Sequence, residues 1–298
     1  MRPFRFGVVA AQAGSGAEWR ELARRVEGLG YSSLVLPDSP AAPILAPFSA
    51  LGVAAAVTNR LRVGNWVLAN DLRNPVLLAR EAATLAALSA GRFDLGLGAG
   101  RADTDYAGIG LDNLPGATRV KRLDESLQII RRLLDGERVT FAGQHYRVTE
   151  ASVYPPPPAP VPILVAAGGP AALATAGRSA DIVALASGSR QQFVEQVGRL
   201  KAAAGDRFER IELAMLAWAI PEGDTAVREI SEQMARRLTG RDLDTLAASE
   251  APNLVMGSRD GIVEQLQERR TELGLSYLVF GVQVAQALAP IVERLAGT

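Results

Sequence analysis

The sequence predicts an α/β chain folded as a (β/α)8 barrel, a TIM barrel with insertions, and three observations predict it. Short apolar runs alternate with amphipathic helical segments through eight units. Residues 60–101 hold a complete strand–helix–strand unit, whose strands should run parallel with a right-handed crossover. The alternation also closes on a strand followed by a helix, which suits a barrel better than an open, doubly wound sheet. The expected organisation is a single barrel domain over residues 1–298.

Taken in order, Arg5 to Ala10 reads as the first strand. Glu18 to Leu29 is a helix with Trp19, Leu22, Ala23 and Val26 on one face, ended by Gly28 and Gly30. Ser33 to Leu36 is the second strand, stopped by Pro37-Asp38-Ser39-Pro40. A proline-punctuated loop over Ala41 to Pro47 leads into a helix from Phe48 to Val57. Leu61 to Leu68 alternates as the third strand. Pro75 suits the first turn of the next helix, which Gly91 stops. Phe93 to Leu97 is short and apolar, as expected of a strand buried on both faces.

Arg101 to Gly116 is rich in Gly, Asp and Asn and reads as a loop before an amphipathic helix, Lys121 to Leu134. Val139 to Val148 breaks the rhythm as a β-hairpin turning at Gly143, an insertion after the fourth unit. The proline run Tyr154 to Pro160 is stiff and extended. Strand five is Ile163 to Ala166 with a helix from Pro170 to Arg178, and strand six is Asp181 to Ala186 with a helix from Gln191 to Ala204. Glu212 to Ile220 is strand seven, followed by a helix over Thr225 to Leu238. Thr239 to Pro252 is a short helix and loop. A helix over Arg259 to Leu273, strand eight over Tyr277 to Val282 and a helix over Val284 to Leu295 complete the chain.

Composition narrows the function. The 298 residues are 48% hydrophobic, ample for a large core. Lys+Arg and Asp+Glu are equal at 32 each, and no basic stripe marks a nucleic-acid binder. The absence of cysteine excludes disulfides, thiolate catalysis and sulfur metal ligands. The single histidine, His145, leaves no His-rich metal site, so no metal is expected, and a Ser-His-Asp triad would have to use this one hairpin residue. No segment has the roughly 20 apolar residues of a membrane span. The apolar run Phe6 to Ala11 is too short for a signal peptide, so a cytoplasmic protein is expected.

A family resemblance rests on particular residues. Arg73-Asn74-Pro75, Ala83-Thr84-Leu85, Leu88-Ser89-Ala90-Gly91-Arg92 and Leu95-Gly96-Leu97-Gly98-Ala99-Gly100 together resemble the bacterial luciferase-like flavin and deazaflavin oxidoreductases, most of all the branch that uses coenzyme F420. The likeness spans nearly the whole chain, including Met256-Gly257-Ser258 and Arg269-Arg270 through Gly274-Leu275-Ser276-Tyr277. Gly-x-Gly-x-Gly alone is a weak signal, since glycines after a strand also serve close packing.

Chemistry in such a barrel belongs at the C-terminal ends of the strands. The resemblance implies that Asp38, ending strand two, contacts the cofactor ring or orients its polar edge; a carboxylate there accepts a hydrogen bond or relays a proton. Read by itself, Asp38 is equally a turn or cap residue. Ser39 stands where many relatives carry a histidine, and a serine cannot hold that charge. Asn65, Trp66 and Val67 end strand three, where relatives have a bulge with a non-proline cis peptide whose backbone backs the ring; Trp66–Val67 is the matching bond. The alternative is a plain strand with Trp66 in the core.

At strand four, Gly98 would let a ligand approach the backbone. Arg101 stands where sugar-phosphate-oxidising relatives place a glutamate acid. An arginine cannot be that acid, but suits an anionic substrate, a carboxylated cofactor tail or a surface ion pair. Asp103 and Asp105 are nearby acids. The segment Ala166-Ala167-Gly168-Gly169, with Ser187 and Gly188 after strand six, matches the family's phosphate-binding loops, and amides ahead of Pro170 suit an anion. Ser39, Asn70 and Arg101 are the substrate-contact candidates, and Asp38, Ser39 and Arg101 the catalytic ones.

The resemblance therefore implies an F420-dependent oxidoreductase. It would transfer a hydride between the deazaflavin C5 and a small organic substrate with an activated C=C, C=N or C=O, or the corresponding alcohol. A second reading is an FMN-dependent monooxygenase that uses oxygen and a partner flavin reductase. A third, kept open by Ser39 and Arg101, is a non-catalytic barrel that binds a ligand. Homodimerisation through barrel helices is expected by analogy.

Overall fold

The structure, a computed structural model, describes residues 1–100 and 103–298. The barrel wall begins with β1 (Arg5–Val9), β2 (Ser33–Leu36) and β3 (Arg62–Asn65), which a two-residue β4 (Leu68–Ala69) continues after a break. It goes on through β5 (Phe93–Gly98). An antiparallel hairpin, β6 (Val139–Ala142) and β7 (Arg147–Ala151), stands outside the wall. The wall resumes with β8 (Ile163–Ala167), β9 (Ile182–Leu185) and β10 (Glu212–Leu216). A separate parallel pair follows, β11 (Trp218–Pro221) and β12 (Leu254–Gly257), and β13 (Leu275–Gly281) is the last strand of the barrel. Adjacent wall strands are parallel, and β3 pairs with β5 through Val63–Phe93 and Gly64–Asp94, closing the ring.

The helices are α1 (Gly16–Gly28), α2 (Pro47–Ala56), α3 (Pro75–Leu88), α4 (Asp103–Ala107), α5 (Gly116–Leu134) and α6 (Pro170–Ser179). Then come α7 (Arg190–Ala204), α8 (Thr225–Thr239), α9 (Leu243–Ala248), α10 (Arg259–Leu273) and α11 (Ala285–Leu295). Local chemistry sets their ends. The Asn74 side chain accepts from Val76 and Leu77 N–H and Pro75 opens α3, while Gly240 and Gly274 end α8 and α10 in the left-handed region. Among the described residues, no helix is long and apolar enough to cross a membrane.

Because side chains alternate along each strand, the wall makes two cores. Val63, Leu95, Val165, Val183, Leu213 and Leu278 pack outward with helical residues such as Leu78, Leu127 and Ile130. Val35, Leu164, Ile182, Ala184, Ala214, Tyr277 and Val279 form a second cluster within the barrel, with Trp66, Val67 and Ala166 against it. At the N-terminal ends of the strands, Arg5 pairs with Glu212 at 2.6 Å and Asp94 at 2.8 Å, and Arg62 reaches Asp94 at 2.5 Å. The Arg5 guanidinium lies 4.3 Å from the Tyr277 ring centroid, and the Tyr277 and Ser33 hydroxyls are 2.6 Å apart. Burial, opposed by Arg5, pushes the Tyr277 phenol up to about 12. That end is a packed ionic floor, so the chemistry belongs at the other.

Three expectations need correction. Glu212 to Ile220 is not one strand: β10 stays in the wall, and after Ala217 the chain leaves it as β11 to pair with β12, a strand the sequence reading missed. The residues are apolar on both sides of the break, so periodicity cannot mark it. Within 101–116, the span read as a loop, α4 is helical. The next helix starts at Gly116 rather than Lys121, after Pro115.

Candidate active site

The end of β2 and the turn after β4 are held together by charge. Asp38 accepts from Arg73 at 2.5 and 3.3 Å and from the Ala69 amide at 3.3 Å. Its side chain is only 5% exposed, so the carboxylate is already committed to this clamp. Next to it, Ser39 Oγ donates to the Asp105 carboxylate at 2.5 Å, tying the segment after β2 to α4. Arg101, the third catalytic candidate, lies outside the described residues.

The expected cis peptide is present at Trp66–Val67. Trp66 meets Tyr277 edge-on at 6.1 Å between centroids, inside the barrel. The glycines of β5 make room for this bulge. A Cβ on Gly96 would collide with the Asn65 carbonyl oxygen, and one on Gly98 would lie 2.9 Å from Val67 Cγ2. The space beside Gly98 is therefore filled by Val67 and is not an open approach for a ligand. Asn65 itself is 2% exposed, and among the described residues neither end of its side-chain amide has a hydrogen-bond partner.

The phosphate-loop candidates converge. Ala166 faces the barrel interior, whereas Ala167 packs outward among the helices. No side chain caps the N-terminus of α6 at Gly169, and a Cβ on Gly169 would meet nothing within 4 Å. By contrast, α7 satisfies its own N-terminus with a capping box between Ser189 and Gln192. A Cβ on the neighbouring Gly188 would strike Gln192 Oε1 at 2.5 Å, so that position is closed by packing. The Ser187 hydroxyl accepts from Asn253 at 3.1 Å. A cleft of about 220 Å³ joins Gly168 and Ser187 and includes Arg199 and Arg241. These two arginines were not singled out in the sequence, and nothing in their local spacing marks them; Arg199 is a surface position of α7 and Arg241 lies between α8 and α9.

The hairpin insertion docks onto α5 and the turn after β4. Glu125 on α5 accepts the amides of Gln144, His145 and Tyr146 at 2.8, 2.9 and 3.0 Å. Burial raises the Glu125 pKa, but these three donors outweigh it and hold the carboxyl below its ordinary value. Tyr146 accepts from Asn70 at 3.3 Å, and the Arg122 guanidinium lies 5.1 Å from its ring centroid while binding Asp71 at 2.8 Å.

A closed parallel barrel, a non-proline cis bulge after its third strand and an uncapped glycine turn before α6 define a (β/α)8 barrel with a candidate anion site at the C-terminal end of its wall. Comparison with known proteins identifies the family. The luciferase-like monooxygenase model matches residues 2–276, and the chain belongs to that family. It is 38% identical over 189 residues, 60% of this chain, to an F420-dependent glucose-6-phosphate dehydrogenase of Nakamurella multipartita. It is 44% identical over 128 residues, 43% of this chain, to the protein of the same name from Kineococcus radiotolerans. The chain spans 55% and 38% of the length of these two relatives. In fold it is similar to an F420-dependent secondary alcohol dehydrogenase in complex with an F420–acetone adduct, with a TM-score of 0.83 and 20% identity over 99% of this chain and 98% of that one.

Proposed function

We propose that the protein is an F420-dependent oxidoreductase that transfers a hydride between the deazaflavin C5 and a small organic substrate. The observation that carries this reading is the cleft that joins the Gly168 turn and Ser187 to Arg199 and Arg241, beside the uncapped N-terminus of α6. Free amides at a helix N-terminus together with two cations suit an anionic cofactor. The bound deazaflavin would supply the hydride chemistry. This chain's residues would do the rest: Asn65, Trp66 and Val67 back the ring, and Asp38, fixed by Arg73, holds the loop beside it. The amides of Gly168 and Gly169 would hold its phosphate, and Arg199 and Arg241 its acidic tail. Ser39 and Asp105 stand at the substrate side.

Fluorescence titration of the purified protein with F420 and, separately, FMN tests this. Micromolar or tighter F420 binding with weaker FMN is the expected result. The reverse preference, with oxygen consumed in turnover, would favour an FMN-dependent monooxygenase served by a reductase. If neither bound, the Gly168-Gly169 turn would be packing alone. Dimerisation through barrel helices belongs to the same proposal and is tested by sedimentation.

A further inference from the structure

A second cleft lies where α9, β12 and α10 meet the start of α7. Its volume is about 350 Å³, and it shares no lining residue with the cleft at Gly168 and Ser187. Part of its lining is apolar. Leu254 of β12 pairs in register with Trp218 of β11, and Ala251, Leu254 and Met256 belong to or pack against the cluster around that tryptophan. The rest is charged: Arg190 opens α7, Arg269 stands on α10 and Glu250 follows α9.

The two arginines differ in what they have been given. Arg190 donates to Glu272 at 2.6 Å near the surface. Arg269 donates from Nη2 to the Leu254 carbonyl at 3.1 Å. Its Nε is buried without a hydrogen-bond partner, and among the described residues it makes no ion pair. A guanidinium drawn out of water without a counter-ion is costly. Burial lowers the Arg269 pKa and Arg190 lowers it further, while Glu268, Glu250 and Glu272 oppose without cancelling them. Arg269 nonetheless stays protonated, as arginines do. Glu250 is exposed and, among the described residues, makes no ion pair with it.

The mixed lining sets the chemistry of a ligand. Inorganic phosphate would answer the charge and leave the apolar side chains in water. An alcohol would cover them and leave Arg269 without a counter-ion. A carboxylate with a short apolar body does both.

We propose that this cleft binds a small aliphatic carboxylate, with its head on Arg269 and Arg190 and its chain over Ala251, Leu254 and Met256. The site is separate from the cofactor cleft and stands whether or not that cleft holds F420.

Isothermal titration of the purified protein at fixed ionic strength compares hexanoate with acetate, hexanol and inorganic phosphate. Hexanoate should bind at least about tenfold more tightly than each of the others. Arg269→Gln and Arg190→Gln should each weaken hexanoate about fivefold. Glu250→Gln should tighten it about threefold, because it removes the negative charge from the cleft. A loss of fold cannot produce that gain, so Glu250→Gln and Arg190→Gln carry the test if Arg269→Gln melts early. No hexanoate binding, equal binding of hexanol or phosphate, or three variants that bind hexanoate like the wild type would overturn the site. The last result would move the carboxylate to the cleft of Arg199 and Arg241.

Discussion

The carboxylate of Asp38 and the guanidinium of Arg73 meet at 2.5 Å, joining the end of β2 to the turn that leads into α3. The family resemblance marked Asp38 as a residue for the ring; the structure shows it first as one half of a clamp. Asp38→Asn removes the charge and leaves Arg73, 23% exposed, without its partner. The expected cost is about 2 kcal/mol in urea unfolding, the scale of a charged hydrogen bond. Arg73→Lys should recover only part of it, because an ammonium cannot reproduce the two-pronged contact.

Gly96 and Gly98 should respond differently to alanine. The Gly96 methyl would meet the backbone oxygen of Asn65, which cannot move without the bulge, whereas the Gly98 methyl meets the tip of Val67. Gly96→Ala is expected to destabilise by about 3 kcal/mol and to abolish cofactor binding; Gly98→Ala should cost about 1 kcal/mol. Equal effects in thermal melts would show that the bulge is not what these glycines serve.

The hairpin should loosen in acid. The folded Glu125 carboxyl is held below its ordinary value of 4.5, so its contribution is fully present above that pH and is lost as pH falls through the folded value. Limited proteolysis between β6 and β7 should therefore accelerate as pH is lowered below 4.5. Glu125→Gln should cost about 1 kcal/mol at neutral pH and flatten that acid dependence. A variant with the wild-type acid profile would assign the response to another group.

Arg199→Ala and Arg241→Ala should each weaken F420 about fivefold, the worth of roughly 1 kcal/mol per partly exposed charge contact. The loss should shrink as salt rises, because exposed charges are screened. Loss of FMN affinity to the same extent would place the arginines at the shared phosphate and not at the acidic tail.

Much of the barrel was legible because its signals are local. Pro75 after Asn74, Gly274 after α10 and the short apolar run Phe93 to Leu97 fix helix starts, stops and buried strands within a few residues. The Trp66–Val67 cis bond was read from family resemblance, not from a physical signal in the strand itself. The departure of β11 from the wall escaped the sequence because both halves of that run are buried, β10 in the barrel and β11 against β12 and α8. Arg199 and Arg241 escaped it because a cleft wall shared by two distant segments has no spacing of its own.

By itself, the sequence determined eight alternating strand and helix units, the hairpin after the fourth, the glycine turn at Gly168-Gly169 and the absence of any thiol chemistry. These follow from periodicity, caps and composition, each set by neighbours along the chain. Tertiary structure alone decided that Asp38 belongs to Arg73, Ser39 to Asp105 and Glu125 to the hairpin turn, and that Asn65, Asn70 and Asp71 keep buried side-chain atoms without a hydrogen-bond partner among the described residues. Closing the barrel brings those segments together and shuts water out. Which polar atoms find partners is therefore fixed by contacts between residues far apart in the chain.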